Sequence, residues 1–385
     1  MKAPPLALYA HFPWCVQKCP YCDFNSHSLR EELPEQRYIE TLKRDFDAQA
    51  AAVSGRRLTS IFLGGGTPSL FSPAAIGTLL EHARAGQGFV ADIEITLEAN
   101  PGTIERGRFA EYRDAGITRV SLGAQSFDER QLKTLGRIHS ADETRRAAEE
   151  LHAAGLSNFN LDLMYALPGQ TADDAEADLR AALALRPAHM SQYHLTIEPG
   201  TLFAAAPPVQ PDDEVVDDML TRSLRVLREA GFEQYEVSGY SRPDTRCAHN
   251  LNYWSFGDYL GIGAGAHGKI TGPDGRIVRT QQWREPRRYL GSDPGAVTRR
   301  FVQSAELPFE FAMNAFRLAD GFPESLFEER TGLPAAVLDQ ALSTALARGL
   351  VEHESYKWRA TPQGFRFLNE ILVDLLPAKD SAREV

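Results

Sequence analysis

The chain is poor in cysteine, with four in 385 residues, and three of the four fall within eight positions of one another. A disulfide framework needs cysteines spread along the chain, so this distribution excludes one and points to a metal or cluster site in a reducing compartment. Positive charge is also short: 41 Lys and Arg stand against 52 Asp and Glu, a net charge of −11. Such a surface lacks the basic footprint that a phosphate backbone requires, and no nucleic-acid partner is expected. No uncharged apolar run reaches eighteen residues, so no membrane-spanning helix is expected. The first residues are Pro-broken and contain no signal-peptide core, which gives the cytoplasm as the expected compartment. Low-complexity tracts and fixed-period repeats are missing too. The 43 % apolar and 24 % charged fractions are those of a globular protein of two or three domains.

Up to about residue 200, short β-rich runs alternate with longer amphipathic patterns, the signature of parallel βαβ units. Six strands are expected, at 6–10, 59–63, 93–98, 118–122, 158–164 and 189–196, with gaps that suit crossover helices. Leu42, Phe46 and Ala50 recur at helical spacing in one gap. Six such units predict an α/β fold in the form of an open, partial barrel, with a doubly wound sheet as the alternative. A Pro-rich connection after Thr201 leads into a helix ending near Gly231 and marks a boundary. The expected division is therefore a barrel over 1–231, an irregular α+β extension over 232–300 and a winged-helix-like helical module over 301–385. That last segment holds eight Lys or Arg against thirteen Asp or Glu, so packing or a lid role is expected of it rather than DNA binding.

The first strand runs into His11-Phe-Pro-Trp-Cys15-Val-Gln-Lys-Cys19-Pro-Tyr-Cys22, a Cys-x3-Cys-x2-Cys loop. Structural zinc takes four closed ligands, and the nearby candidates for a fourth are His11 and His27. Three closely spaced thiolates suit a 4Fe-4S cluster, whose remaining iron stays open to a small chelating ligand.

This spacing resembles that of the radical S-adenosylmethionine superfamily. The resemblance implies a partial (β/α)6 barrel with the cluster after strand one and S-adenosylmethionine across the C-terminal strand ends, the face at which barrels bind ligands. Cys15, Cys19 and Cys22 are the implied cluster ligands. Gly64-Gly65-Gly66-Thr67-Pro68 is similar to the family's glycine-rich motif, and Glu98, Gln125 and Asp162 end the third, fourth and fifth expected strands. Resemblance to the oxygen-independent coproporphyrinogen dehydrogenases implies Tyr9, Gly65, Gly66, Thr67, Glu98, Gln125, Arg137 and Asp162 as S-adenosylmethionine contacts. Arg137 is expected to fork onto the cofactor's carboxylate, and Tyr21 to pack on its adenine.

Those dehydrogenases carry a further cysteine two residues beyond the third ligand, where this chain has Phe24. They also carry an extension ahead of the cluster, whereas Tyr9 stands eight residues from the first residue here. His249-Asn250-Leu251-Asn252-Tyr253-Trp254 is similar instead to the His-Asn-x-x-Tyr-Trp motif of the HemW-type haem chaperones. That resemblance implies haem as a third ligand, held through His249 beside aromatic rings, and delivery of haem to acceptor proteins. A hydrogen-bonded structural histidine is the alternative reading of the same residue, and Cys247 is either a competing ligand or a buried apolar side chain. Peripheral contact with membrane haemoproteins and a homodimer are further expectations. The alternative function is decarboxylation of coproporphyrinogen III through a 5′-deoxyadenosyl radical, and no catalytic residue is assigned. Gly261-Ile-Gly-Ala-Gly-Ala266 has the form of a dinucleotide fingerprint, but no βαβ unit surrounds it, and a closely approaching loop is expected there.

Overall fold

All six expected strands form, because each carries an apolar face that packs against helices. In this computed structural model, which describes residues 3–102 and 107–376, they are β1 (Leu6–Phe12), β2 (Leu58–Gly65), β3 (Phe89–Ala99), β4 (Arg119–Gln125), β5 (Phe159–Tyr165) and β6 (His189–His194). Each pairs in parallel with the next, in chain order. A doubly wound sheet reverses its order at a switch point. Here the six parallel strands never reverse, so the winding is that of a barrel, and the sheet runs on past both ends of the six instead of closing. All six C-terminal strand ends therefore lie on one rim.

Side chains alternate along each strand. Ile61 and Leu63 of β2, Ile95 and Leu97 of β3, and Val120 and Leu122 of β4 join one buried core with Leu42 and Phe46 of the helix Glu35–Ala50 and with Leu79 and Ala83 of the helix Pro73–Gln87. The alternate positions are polar: Ser60, Glu94, Thr96, Glu98, Arg119, Ser121, Asn160 and Asp162 face the other way, into the barrel. Helix starts are marked by side chains that satisfy the first free N–H groups. Ser140 with Glu143 and Thr171 with Asp174 form capping boxes on the helices Ala141–Ala153 and Ala172–Ala184.

The stretch 232–300 is not irregular, as its sequence had implied. It adds β7 (Glu233–Gln234), β8 (Gly239–Ser241), β9 (Asp258–Ile262), β10 (His267–Thr271), β11 (Ile277–Gln281) and β12 (Thr298–Phe301) to the same sheet. β9 lies parallel to β1, from Leu6 opposite Asp258 to Ala10 opposite Ile262, and β10 to β12 follow it antiparallel. β8 and β7 extend the other end beyond β6.

From residue 302 a second buried core forms around Phe311, Phe322, Phe327, Leu338, Leu342 and Trp358. It is built by the helices Leu307–Ala315, Glu324–Thr331 and Ala335–Ala341 and by the hairpin Val351–Glu354 with Lys357–Ala360. Phe256 and Ile277 reach into it from the sheet extension. Leu338 and Leu342 are buried, the helix ends at Ala341 and Leu346 is exposed. Among the described residues no helix is long and apolar enough to cross a membrane.

Candidate cluster and cofactor site

Beyond β1 the chain makes a loop closed by the pairing of Trp14–Cys15 with His27–Ser28. Cys15, Cys19 and Cys22 are all free and half-buried on it, and the Cys22 N–H donates to the Cys19 carbonyl at 3.2 Å. Among the described residues no three Cys, His, Asp or Glu side chains converge on a point as one ion requires. A cubane takes one thiolate on each of three irons, and three separate thiols on a single loop fit such a cluster. His11 is not a fourth ligand in this arrangement. Its Nδ1 meets the Tyr9 hydroxyl and its Nε2 the Asn25 carbonyl, both at 2.9 Å, and burial pushes its pKa down to about 4.

Asn25 went unnoticed in the sequence, and it clamps this loop. Its Nδ2 donates to the carbonyls of Ala264 and Arg284, each at 2.8 Å. Gly265 has φ +87°, and a Cβ there would overlap the Asn25 amide. The Gly-Ile-Gly-Ala-Gly-Ala segment between β9 and β10 is thus the cradle of the cysteine loop, in keeping with the close approach expected of it.

The ends of β2, β3 and β4 bring Gly65, Glu98 and Gln125 to one rim, with Gly66 and Thr67 just after β2. Asp162 does not end its strand as expected: it is the middle residue of β5, as Tyr9 is of β1, and both face the barrel below that rim. Gly65 has φ +113°, a Cβ on it would strike the His11 ring, and its N–H donates to Glu98 Oε2 at 2.9 Å. Burial, then the neighbouring Asp162, push the Glu98 carboxyl up to about 7. Burial raises the Asp162 pKa as well, although Asn160 Nδ2 at 2.8 Å and Ser121 Oγ at 3.2 Å donate to it. Burial thus favours the neutral form of both carboxyl groups, and a cation such as an ammonium between them would restore their charged forms. Gln125 sits at φ +67°, after a slip in register against β5, a conformation uncommon for a residue with a side chain.

Arg137 stands beside this rim, half-buried. Its Nη2 donates to Asn100 Oδ1 at 2.5 Å and to the Gly123 carbonyl at 2.8 Å, and its Nη1 lies 3.7 Å from Cys19 Sγ. Both Nη2 hydrogens are spent, so the two-pronged grip on a carboxylate that the sequence implied is not available in this arrangement. Asn100, also unnoticed, donates to Thr67 Oγ1 at 2.9 Å and so links Arg137 to the glycine-rich loop. Tyr21 turns its ring toward Phe203, with centroids 6.4 Å apart, in an apolar nest with Leu135 and Met164.

His249 lies on the helix Ala248–Trp254 and is 1 % exposed. Its Nδ1 meets Ser60 Oγ at 3.2 Å, while its Nε2 is buried without a partner. Phe62, Tyr253 and Tyr9 surround the ring at centroid distances of 5.1, 4.7 and 6.4 Å. Burial, then the Arg119 cation, push its pKa down to about 3, so the imidazole is neutral. An unpartnered nitrogen on a neutral imidazole fits an axial ligand chemically. The aromatic enclosure gives it no open approach in this conformation, so ligation of a macrocycle calls for movement of the helix. Cys247 is a buried thiol that donates to Glu94 Oε1 at 3.4 Å, and burial pushes its pKa up to about 12, which is the buried-side-chain reading of that residue.

Residues 9–182 match the model of the radical SAM superfamily, and residues 302–367 match that of the HemN C-terminal domain. Over 377 residues the chain is 50 % identical to the heme chaperone HemW of Escherichia coli (strain K12), spanning 97 % of this chain and 98 % of that one. The chain belongs to the HemW family. The heme chaperone HemW of Haemophilus influenzae is 47 % identical over 96 % of this chain and 98 % of its own. Among solved structures, the coproporphyrinogen III oxidase HemN of Escherichia coli, described as a radical SAM enzyme, superposes with a TM-score of 0.81 over 97 % of this chain and 90 % of that one. At 22 % identity that likeness is one of fold. Membership of the HemW family bears out the resemblance read from the cysteine spacing and the His-Asn-x-x-Tyr-Trp segment.

Proposed function

We propose that this chain is a cytoplasmic haem chaperone that carries a 4Fe-4S cluster and S-adenosylmethionine at the barrel rim and passes haem to acceptor proteins. The observation that carries this reading is the buried, neutral and unpartnered Nε2 of His249, in a chain half identical from end to end to a protein named heme chaperone. Cys15, Cys19 and Cys22 hold three irons. Glu98 and Asp162 receive the ammonium of S-adenosylmethionine, which restores their charged forms, and Thr67, held by Asn100, lines the same rim. The cluster, when bound, supplies single-electron chemistry toward S-adenosylmethionine. Tyr9 closes the space between this rim and His249, with its hydroxyl on His11 and its ring toward the imidazole. The dehydrogenase reading gains no support from the HemN-like fold, and Phe24, where those enzymes carry a cysteine, is 60 % exposed on the cysteine loop.

An anaerobic haem titration of the cluster-loaded protein tests the proposal. Following the Soret band, wild type is expected to bind haem saturably. His249→Ala is expected to bind about tenfold or more weakly, the loss of about 1.4 kcal/mol, with iron and sulfide content unchanged. Absence of specific haem binding by wild type would sink the chaperone reading and make turnover of coproporphyrinogen III the next assay.

A further inference from the structure

Arg137 is the half-buried cation that reaches the cysteine loop from the barrel. Its Nη1 lies 3.7 Å from Cys19 Sγ, within reach of an N–H···S hydrogen bond. The guanidinium has little freedom to turn away: Nη2 is fixed by Asn100 Oδ1 and the Gly123 carbonyl, and the Arg137 N–H donates to the Leu132 carbonyl at 2.9 Å. The segment that carries it also touches the loop through its backbone. Gln17 Nε2 donates to the Gly136 carbonyl at 3.4 Å, and Pro20 packs directly over Gly136. On its other flank the loop is tied by Phe203, whose N–H donates to the Pro20 carbonyl at 3.0 Å. Asn25 clamps one end of the loop and Arg137 the stretch between Cys15 and Cys22.

We infer that Arg137 positions the cysteine loop and sets the reduction potential of the cluster through its contact with Cys19, a role that rests on the cluster reading above. Uptake of one electron makes the cluster and its thiolates more negative by one charge and breaks no bond. A fixed cation and an N–H donor at a ligating sulfur stabilise that reduced state, and both act strongly where water is excluded. The engaged donors favour this role over a fork onto a carboxylate, because Nη2 is held by Asn100 and Gly123 and the guanidinium otherwise bonds Cys19 and the Tyr21 side chain beside it.

The test uses the full chain reconstituted anaerobically as wild type, Arg137→Lys and Arg137→Met. Iron and sulfide are counted, and the midpoint potential is read by titration of the reduced-cluster electron paramagnetic resonance signal, first without S-adenosylmethionine. The expected result is a potential shifted to more negative values in Arg137→Met, with a smaller shift in Arg137→Lys and altered g-values in both. Should Arg137→Met fail to fold, Arg137→Gln removes the charge with less change in polarity and gives the same reading. A neutral variant that holds full iron at the wild-type potential overturns the proposal, and one that only weakens S-adenosylmethionine binding assigns Arg137 to that cofactor alone and overturns it too. Wild type that takes up no cluster is a separate failure, of the cluster reading itself, and removes this inference with it.

Discussion

Glu98 and Asp162 share the upper part of the barrel interior, where loss of water penalises each charge. The Glu98 carboxyl, ordinarily near 4.5, is pushed up to about 7. Between those values the folded chain keeps a proton that the unfolded chain has already released. Stability therefore falls as pH rises through the window, and the whole penalty, about 3 kcal/mol, is present above pH 7. Glu98→Gln keeps an oxygen that can accept the Gly65 N–H and cannot ionise. In the ligand-free chain it is expected to raise unfolding stability by about 2–3 kcal/mol at pH 8 and to be neutral near pH 4, as measured by urea unfolding at the two pH values. An equal effect at both would show that burial of charge is not the cause. The same substitution is expected to weaken S-adenosylmethionine binding, because the anion that the ammonium needs is gone.

The loop between β9 and β10 shows how an element far along the chain completes a site near its start. Gly265→Ala puts a Cβ into the Asn25 amide in a backbone conformation that favours glycine. The two bonds from Asn25 to Ala264 and Arg284 are then lost and the cysteine loop is released. The expected outcome is a well-folded protein, by circular dichroism, that retains less than half the wild-type iron after reconstitution; full iron would mean the clamp is dispensable. The sequence shows the cysteine loop and this glycine run plainly, but the 239 positions between Asn25 and Ala264 leave no local trace of their contact. β1 to β6 are legible because each pairs an apolar face with the helices beside it. β7 to β12 are not: they are two to five residues long, and β12 is exposed throughout. The polar residues Ser60, Glu94 and Arg119 carry no motif in the sequence, and the barrel turns them inward, where Ser60 fixes His249 and Glu94 holds the Cys247 thiol.

Across the whole molecule, barrel, sheet extension and C-terminal core meet at Asp258. This fully buried carboxylate accepts from Arg56 Nη1 at 2.8 Å, from Lys269 Nζ at 3.0 Å and from the Thr271 N–H and hydroxyl at 3.0 and 2.8 Å. Arg56 belongs to the connection before β2, and Lys269 and Thr271 to β10. Lys269 also donates to the Phe256 carbonyl at 3.0 Å and lies over the Phe256 ring, which is part of the second core. Removing the carboxylate leaves a buried ammonium facing only backbone carbonyls and an aromatic face, a defect that typically costs about 3–5 kcal/mol. Asp258→Ala is expected to lose about that much stability, and Asp258→Asn, which retains an acceptor, less. If Asp258 joins the two cores, hydrogen exchange must accelerate in β10 and in the helix Leu307–Ala315 together, and also in the helix Ala248–Trp254, which lies just ahead of Asp258 in sequence and carries His249. Acceleration confined to β10 would show instead that the barrel and the C-terminal core open independently, and that any motion exposing His249 arises within its own helix.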